Sequence, residues 1–281
     1  MLTTRTKIAI ARMIQGPLMA ARRLIGRGPA ARVRRRGIDW DLDLKEGIDF
    51  AIYLMGAFDG DTIKAYAKYL RPGMTVLDIG ANIGAHTLHL ARLAGPKGRV
   101  FAFEPTDWAY AKLCANLKLN PDLAARVTAV QAFLVNQVEP GAIGPIPSSW
   151  PLDGKDVHPN LRSRAMPAKG AKPTRLDDFL KAAKVERVDL VKIDVDGFEC
   201  QVLAGAMGML KRDQPMLIME FSPYVLEERG FTLNDMLDLL DQAGYRLERL
   251  SSGAVLPEDR ETLATLVPVG AGFNVLARPH A

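Results

Sequence analysis

From Thr75 onwards the sequence alternates short apolar runs with longer amphipathic stretches: "TVLDIG", "AHTLHLARLA", "RVFAFEP", "DWAYAKLCANLKLN", "RVTAVQAFLVN". The short runs have strand length and no polar alternation, so they are expected to be buried on both faces. Strands of that kind, separated by helix-length segments, are joined in parallel by crossovers that cover the sheet on both sides. The pattern resumes after residue 173 with "TRLDDFLKAA", whose helix Thr174 is expected to cap. "RVDLVKID", "CQVLAGAMGMLKR", "PMLIMEF" and "TLNDMLDLLDQAG" follow, and then two late strands, "YRLERL" and "GFNVLARP". A helix over "TIKAYAKYL", closed by Arg71-Pro72-Gly73, precedes the first strand. "RVTAVQAFLVN" reads as one strand. The fold class is α/β.

Residues 139–173 break the alternation with seven prolines and four glycines. A connection of this length in a compact domain suits a lid or a binding loop. The other departure is at the start. Residues 1–36 hold ten Lys/Arg and no acid, while the whole chain carries +5, so the remainder stands at −5. The reading is a basic arm over 1–38 and a domain over 39–281 with 139–173 inserted. Gly16-Pro17 is expected to split the arm into two short pieces. Its mixture of isoleucine, leucine, methionine and arginine suits an anionic membrane surface; a packed helix, a tail and a transit peptide are the alternatives. Nucleic acid is not expected as a partner, because aromatics are not interleaved with the basic residues and the body is acidic. Two distant cysteines, Cys114 and Cys200, suggest no disulfide framework, and a cytoplasmic location at or near the inner membrane surface is the expectation.

The stretch "DIGANIGAH" places Gly80, Asn82 and Gly84 between a strand and a helix. Glycine lets the chain turn sharply and approach a ligand, and the helix N-terminus behind it favours an anionic group. About twenty residues on, Glu104-Pro105 closes the next strand, where an acid accepts hydrogen bonds from ribose hydroxyls. This spacing points to a nucleoside-containing cofactor at the carboxyl edge of the sheet.

"VLDIGANIGAHTLHLA", "VFAFEP" and "CANLKLN" resemble the first half of a class I S-adenosylmethionine-dependent methyltransferase. "TRLDDFL", "VDLVKIDVDGFECQVLAGA" and "PMLIMEF" resemble the second half of the FkbM family, which more often carries Glu where this chain has Asp196. The resemblance implies a Rossmann-like, seven-stranded, mostly parallel sheet with a reversed last strand and helices on both faces. It also implies S-adenosyl-L-methionine as cofactor. Asp78, Gly80, Ala81, Asn82 and Gly84 would frame the methionine part. Glu104 and Pro105 would lie at the ribose, Ala132 and Phe133 near the adenine, and Asp194 at the amino group or the substrate.

Transfer to a hydroxyl also requires proton removal, by a base or with a metal. Asp194, Glu220 and His158 are the candidate catalytic groups, with Asp196 and Glu199 beside them, and no metal is expected. The leading reading is an O-methyltransferase acting on a hydroxyl of a sugar, lipid-linked glycan or secondary metabolite. The alternatives are a metal-dependent catechol-type enzyme and a cofactor-binding protein without turnover. Asp194-Val195-Asp196-Gly197 lacks the Asn/Asp-Pro-Pro-aromatic pattern of amino-group methyltransferases that act on bases. The oligomeric state is not legible in the sequence.

Overall fold

A computed structural model describes residues 3–139, 141, 143–155, 157–159 and 161–280. The strands are β1 (Ala30–Arg35), β2 (Ile38–Asp43), β3 (Thr75–Ile79), β4 (Arg99–Phe103), β5 (Val127–Val130), β6 (Ala132–Leu134), β7 (Ile146–Ser149), β8 (Arg164–Met166), β9 (Lys172–Thr174), β10 (Leu190–Ile193), β11 (Met216–Phe221), β12 (Tyr245–Arg249) and β13 (Phe273–Pro279). Seven of them form one sheet in the order β12-β13-β11-β10-β3-β4-β5. Its β10, β11, β3, β4 and β5 are mutually parallel, and β13, the last in the chain, runs antiparallel to both neighbours. This is the architecture expected from the sequence.

The helices before the insertion are α1 (Thr4–Leu24), α2 (Gly47–Met55), α3 (Gly60–Tyr69), α4 (Thr87–Ala94), α5 (Asp107–Lys118) and α6 (Pro121–Ala124). After it come α7 (Leu176–Ala182), α8 (Glu199–Gly205), α9 (Met207–Asp213), α10 (Pro223–Glu227), α11 (Leu233–Ala243) and α12 (Arg260–Thr265). Successive strand residues point to opposite faces. Val76, Val100 and Ile218 therefore pack with Ile63 and Tyr66 of α3 and Leu90 of α4. Leu77, Phe101, Phe103 and Met219 pack with Leu180, Leu203, Met209 and Met236 on the other side. Each fully buried side chain of this size contributes about 1.5–3 kcal/mol.

Four local expectations are corrected. The run "RVTAVQAFLVN" is two strands. Glu104 N–H donates to Val130 O as the last bond of the β4–β5 ladder, and Pro105 has no N–H to extend it. Past Gln131 the chain instead pairs in parallel with β9. The insertion, read as a loop, holds strands of its own, for β7 and β8 form an antiparallel pair within it. Thr174 does not cap α7: Arg175 is the N-cap residue, and the Thr174 hydroxyl donates to Lys172 O. "CQVLAGAMGMLKR" divides at Ala206 into α8 and α9.

The start of the chain also differs from expectation. α1 is one helix through Gly16-Pro17. An internal proline costs roughly 3 kcal/mol, so packing on both sides must outweigh it. Ile8 and Met19 are buried in a cluster with Trp40, Leu42 and Phe50. Gln15 donates to Leu44 O, and Arg22 donates to Gly28 O and Ala30 O. β1 and β2 form a hairpin, whose second strand begins at Ile38. Among the described residues no helix is long and apolar enough to cross a membrane.

Candidate active site

The carboxyl ends of β3, β4, β10 and β11 open into a cavity of about 680 Å³. Between β3 and β10 the strand order reverses, the usual place for a ligand in such a sheet. After β3, Gly80 adopts φ +77°, and an added Cβ would lie 1.9 Å from the Asp194 carbonyl oxygen. The two strand ends approach this closely only because residue 80 lacks a side chain. Asn82 is also left-handed, at φ +49°, and its side-chain carbonyl accepts from Ile83 N–H.

Glu104 is buried and bound on three sides. Its Oε2 accepts from Asn82 N–H at 2.9 Å, and its Oε1 accepts from the Thr106 N–H at 2.9 Å and hydroxyl at 2.6 Å. Burial raises its pKa, and these hydrogen bonds work against the rise. One acceptor position on Oε2 is left for a ligand. Ser148 joins this site to the insertion: its carbonyl accepts from the Asn82 amide and its hydroxyl meets that of Thr106 at 2.7 Å.

Beneath the glycine turn lies Lys192, which the sequence reading passed over as part of an apolar strand. Its ammonium donates to Gly80 O at 2.8 Å and to Ile79 O at 3.3 Å. It lies 3.5 Å from Asp78 and 3.6 Å from Asp194. Burial pulls its pKa down, but Asp194 and Asp78 more than offset this and hold it above the ordinary lysine value. Asp78 is fully buried and also accepts from the Thr87 hydroxyl at 2.5 Å. It braces the turn from below and does not line the cavity.

Of the residues singled out from sequence, Gly80, Ala81, Asn82, Glu104, Pro105, Ala132, Phe133, Asp194 and Glu220 line the cavity together. Gly84, at φ +89°, sits behind the turn against Leu113. His158 is not among the lining residues; its Nε2 is 3.4 Å from Glu228, and its Nδ1 accepts from Leu161 N–H. Phe133 meets Phe198 edge to face at 5.0 Å, giving an aromatic wall. His86 lines the cavity with Nδ1 3.0 Å from the Tyr66 hydroxyl, and burial, followed by Lys192, pushes its pKa well down, so it is neutral.

The acidic corner is formed by Asp194, Asp196, Glu199 and Glu220. Burial first, then Asp194 and Glu199, pushes Glu220 up to about 8. Burial raises Glu199 to about 7, although its Oε1 accepts from Val195 N–H. Asp196, left-handed at φ +49°, is raised well above the ordinary value by burial and by its three acidic neighbours. Among the described residues no group of three or more His, Cys, Asp or Glu is arranged to hold a metal.

The remaining walls lie outside the glycine-turn and acidic motifs. Phe58, Asp59 and Thr62 come from the region of α2 and α3, Ile146, Trp150 and Leu161 from the insertion, and Lys7, Ile10 and Ile14 from α1.

A model of the methyltransferase FkbM domain matches residues 78–247, from the buried aspartate of β3 into β12. The chain belongs to the FkbM methyltransferase family. A 2-O-methyltransferase, NoeI, of Sinorhizobium fredii is 31% identical over 183 residues, covering 60% of this chain and 72% of that protein. The hexuronic acid methyltransferase AglP of Haloferax volcanii is 26% identical over 151 residues, and the match spans 54% of this chain and 57% of that relative. An FkbM methyltransferase structure from Methylobacillus flagellatus is 17% identical with a TM-score of 0.45, over 77% of this chain and 50% of that one.

The chain is thus an S-adenosylmethionine-dependent methyltransferase of the FkbM family. Its cavity suits that cofactor in size and chemistry. Glu104 offers an acceptor to a ribose diol, the half-exposed Asp194 carboxylate offers one to an ammonium group, and Phe133 and Phe198 offer an apolar wall to a purine. Bound there, the cofactor supplies an electrophilic methyl group.

Proposed function

We propose that this protein is an O-methyltransferase acting on a sugar hydroxyl, with the acceptor carried on a lipid or a small glycan. The observation that carries the reading is Glu220, a carboxylate facing the cavity with its pKa pushed up to about 8. A base is most effective when its pKa lies near the working pH, and a sugar hydroxyl must lose a proton as it accepts the methyl group. Glu220 takes that proton in this reading, Asp194 holds the cofactor's amino group, and Glu104 holds its ribose. The cavity walls keep water from the reacting atoms. The name of the 2-O-methyltransferase relative supports transfer to oxygen, and that of the hexuronic acid methyltransferase supports a sugar acceptor.

The membrane part of the proposal draws on α1 and α2. Ile10, Ile14, Leu54 and Met55 are exposed yet line the cavity, and Met13 is 77% exposed beside them. Apolar side chains at the rim, with Arg5 and Lys7 close by in sequence, suit a lipid-carried acceptor presented at an anionic surface.

The test is methyl transfer from labelled S-adenosylmethionine to a panel of free sugars, glycolipids and amines. Transfer to sugar hydroxyls is expected, rising with pH through about 8, and Glu220→Gln is expected to lower kcat by about a hundredfold or more. Transfer to amines alone, or a Glu220→Gln enzyme of full activity, would remove the reading. For the membrane part, sedimentation with phosphatidylglycerol vesicles at low salt is expected and should be lost in an Ile10→Ser/Met13→Ser variant. Wild-type protein that stays in the supernatant would refute it.

A further inference from the structure

The helix that walls the cavity has a second hollow on its neighbouring face, about 430 Å³ in volume. Among the described residues it is lined by Arg5, Ile8, Ala9, Arg12, Pro159 and Arg162. The first four recur at the spacing of a single helix face. Ile8 lines both hollows, which therefore lie on adjoining faces of the same stretch of α1.

Arg5, Arg12 and Arg162 all line this hollow, and no carboxylate among the described residues forms a recorded ion pair with any of them. Two nitrogens of Arg12, Nε and Nη2, are buried with no hydrogen-bond partner. Nearby carboxylates are engaged elsewhere: Asp153 pairs with Arg164, and Glu228 faces His158. Arg162 stands at φ +57°, rare for a side-chain-bearing residue. Its N–H donates to His158 O at 2.9 Å, while His158 N–H donates to Ser163 O at 2.8 Å, closing the turn that carries it. The two buried Arg12 nitrogens lack an acceptor among the described residues, and an anion in the hollow would supply one. Forked arginine donors match the oxygens of a phosphate. Three arginines around one hollow favour a ligand with more than one negative charge.

We propose that this hollow binds a phosphate or diphosphate ester, held on the face of α1 that adjoins the methyl-transfer cavity. This rests on the sugar O-methyltransferase reading, because the group fits a sugar carried on a diphosphate. The same chemistry is also offered by a phospholipid headgroup. In either case the α1 face makes the enzyme select phosphorylated acceptors or surfaces over neutral ones.

The test is calorimetric titration of the full chain with inorganic pyrophosphate at low salt, beside a titration with S-adenosylhomocysteine. Saturable pyrophosphate binding is expected, weakening as salt is raised. Arg5→Ala and Arg162→Ala should each weaken it tenfold or more and leave S-adenosylhomocysteine affinity unchanged. Absence of saturable pyrophosphate binding, or equal affinity in both variants, overturns the proposal. A protein that does not bind S-adenosylhomocysteine would instead count against the proposed function, because the pyrophosphate titration requires no turnover. Phosphatidylglycerol vesicles separate the two sources. If the headgroup is the ligand, both variants lose sedimentation and pyrophosphate competes with the vesicles. If the acceptor's diphosphate is the ligand, vesicle binding is the same in wild type and variants while pyrophosphate binding is lost.

Discussion

Replacing Lys192 by Met keeps the buried stem of the side chain and removes its charge. The Lys192 side chain is 5% exposed and its partner Asp78 0% exposed, at 3.5 Å. The substitution leaves the Asp78 carboxyl group in the core with the Thr87 hydroxyl as its remaining side-chain partner, and it strips a donor from Gly80 O and Ile79 O. Breaking one side of a buried pair costs about 3–5 kcal/mol. For a domain of this size each kcal/mol lowers the melting temperature by roughly 2–4 °C, so a fall of about 10 °C is expected. Because those carbonyls belong to the glycine turn, S-adenosylhomocysteine affinity should drop in the same variant. Urea unfolding followed by circular dichroism, with calorimetry of cofactor binding, measures both. The double variant Lys192→Met/Asp78→Asn removes both charges and keeps an acceptor for Thr87, so it should be more stable than the sum of the two single losses. A single variant that loses less than about 1 kcal/mol, or a strictly additive cycle, would refute the role given to this ion pair.

Glu104→Ala removes the remaining acceptor position on Oε2 and should cost about 1.5–3 kcal/mol of S-adenosylhomocysteine affinity, roughly tenfold or more; calorimetry giving an unchanged affinity would contradict it. Glu199 and Glu220 have folded-state pKa values raised to about 7 and about 8, so the folded state holds more protons than the unfolded chain above the ordinary carboxylate value. Their stabilising contribution is complete below that value and lost as pH rises through 7 to 8, and the melting temperature of the ligand-free protein should fall between pH 5 and 8.5; a flat or rising profile would count against the acidic corner. Methyl transfer is expected to persist after EDTA treatment, whereas a loss reversed by Mg²⁺ would make Asp194 and Glu220 metal ligands.

The sheet was legible because its strands carry their burial in their own composition, and Gly80 and Glu104 were legible because strand ends and turns are governed by neighbours in sequence. Lys192 was not, since a single lysine within "LVKI" says nothing of the two carbonyls and two carboxylates that gather around it. His158 was singled out for its chemistry, but which way a loop histidine faces is set by tertiary contacts: its Nε2 faces Glu228 while Ile146, Trp150 and Leu161 of the same insertion line the cavity. The arm's apolar residues signalled a buried face without naming what it covers, which turned out to be the β1–β2 hairpin and α2. Gly16-Pro17 misled because local propensity was outweighed by packing at Ile8 and Met19.

The parallel pairing of β6 with β9 brings Leu134 and Thr174 into register, so the chain leaves and re-enters the domain at one point. The intervening segment is thereby a cassette with both ends pinned. Lengthening such a segment is inexpensive in closure entropy, with each doubling adding only about 0.6 kcal/mol. Exchange of the cassette would redraw the wall that supplies Ile146, Trp150 and Leu161 while the strands beneath keep their pairing. On this plan one wall of the cavity can change in sequence and length at a single junction while the seven-stranded sheet beneath it is left as it is.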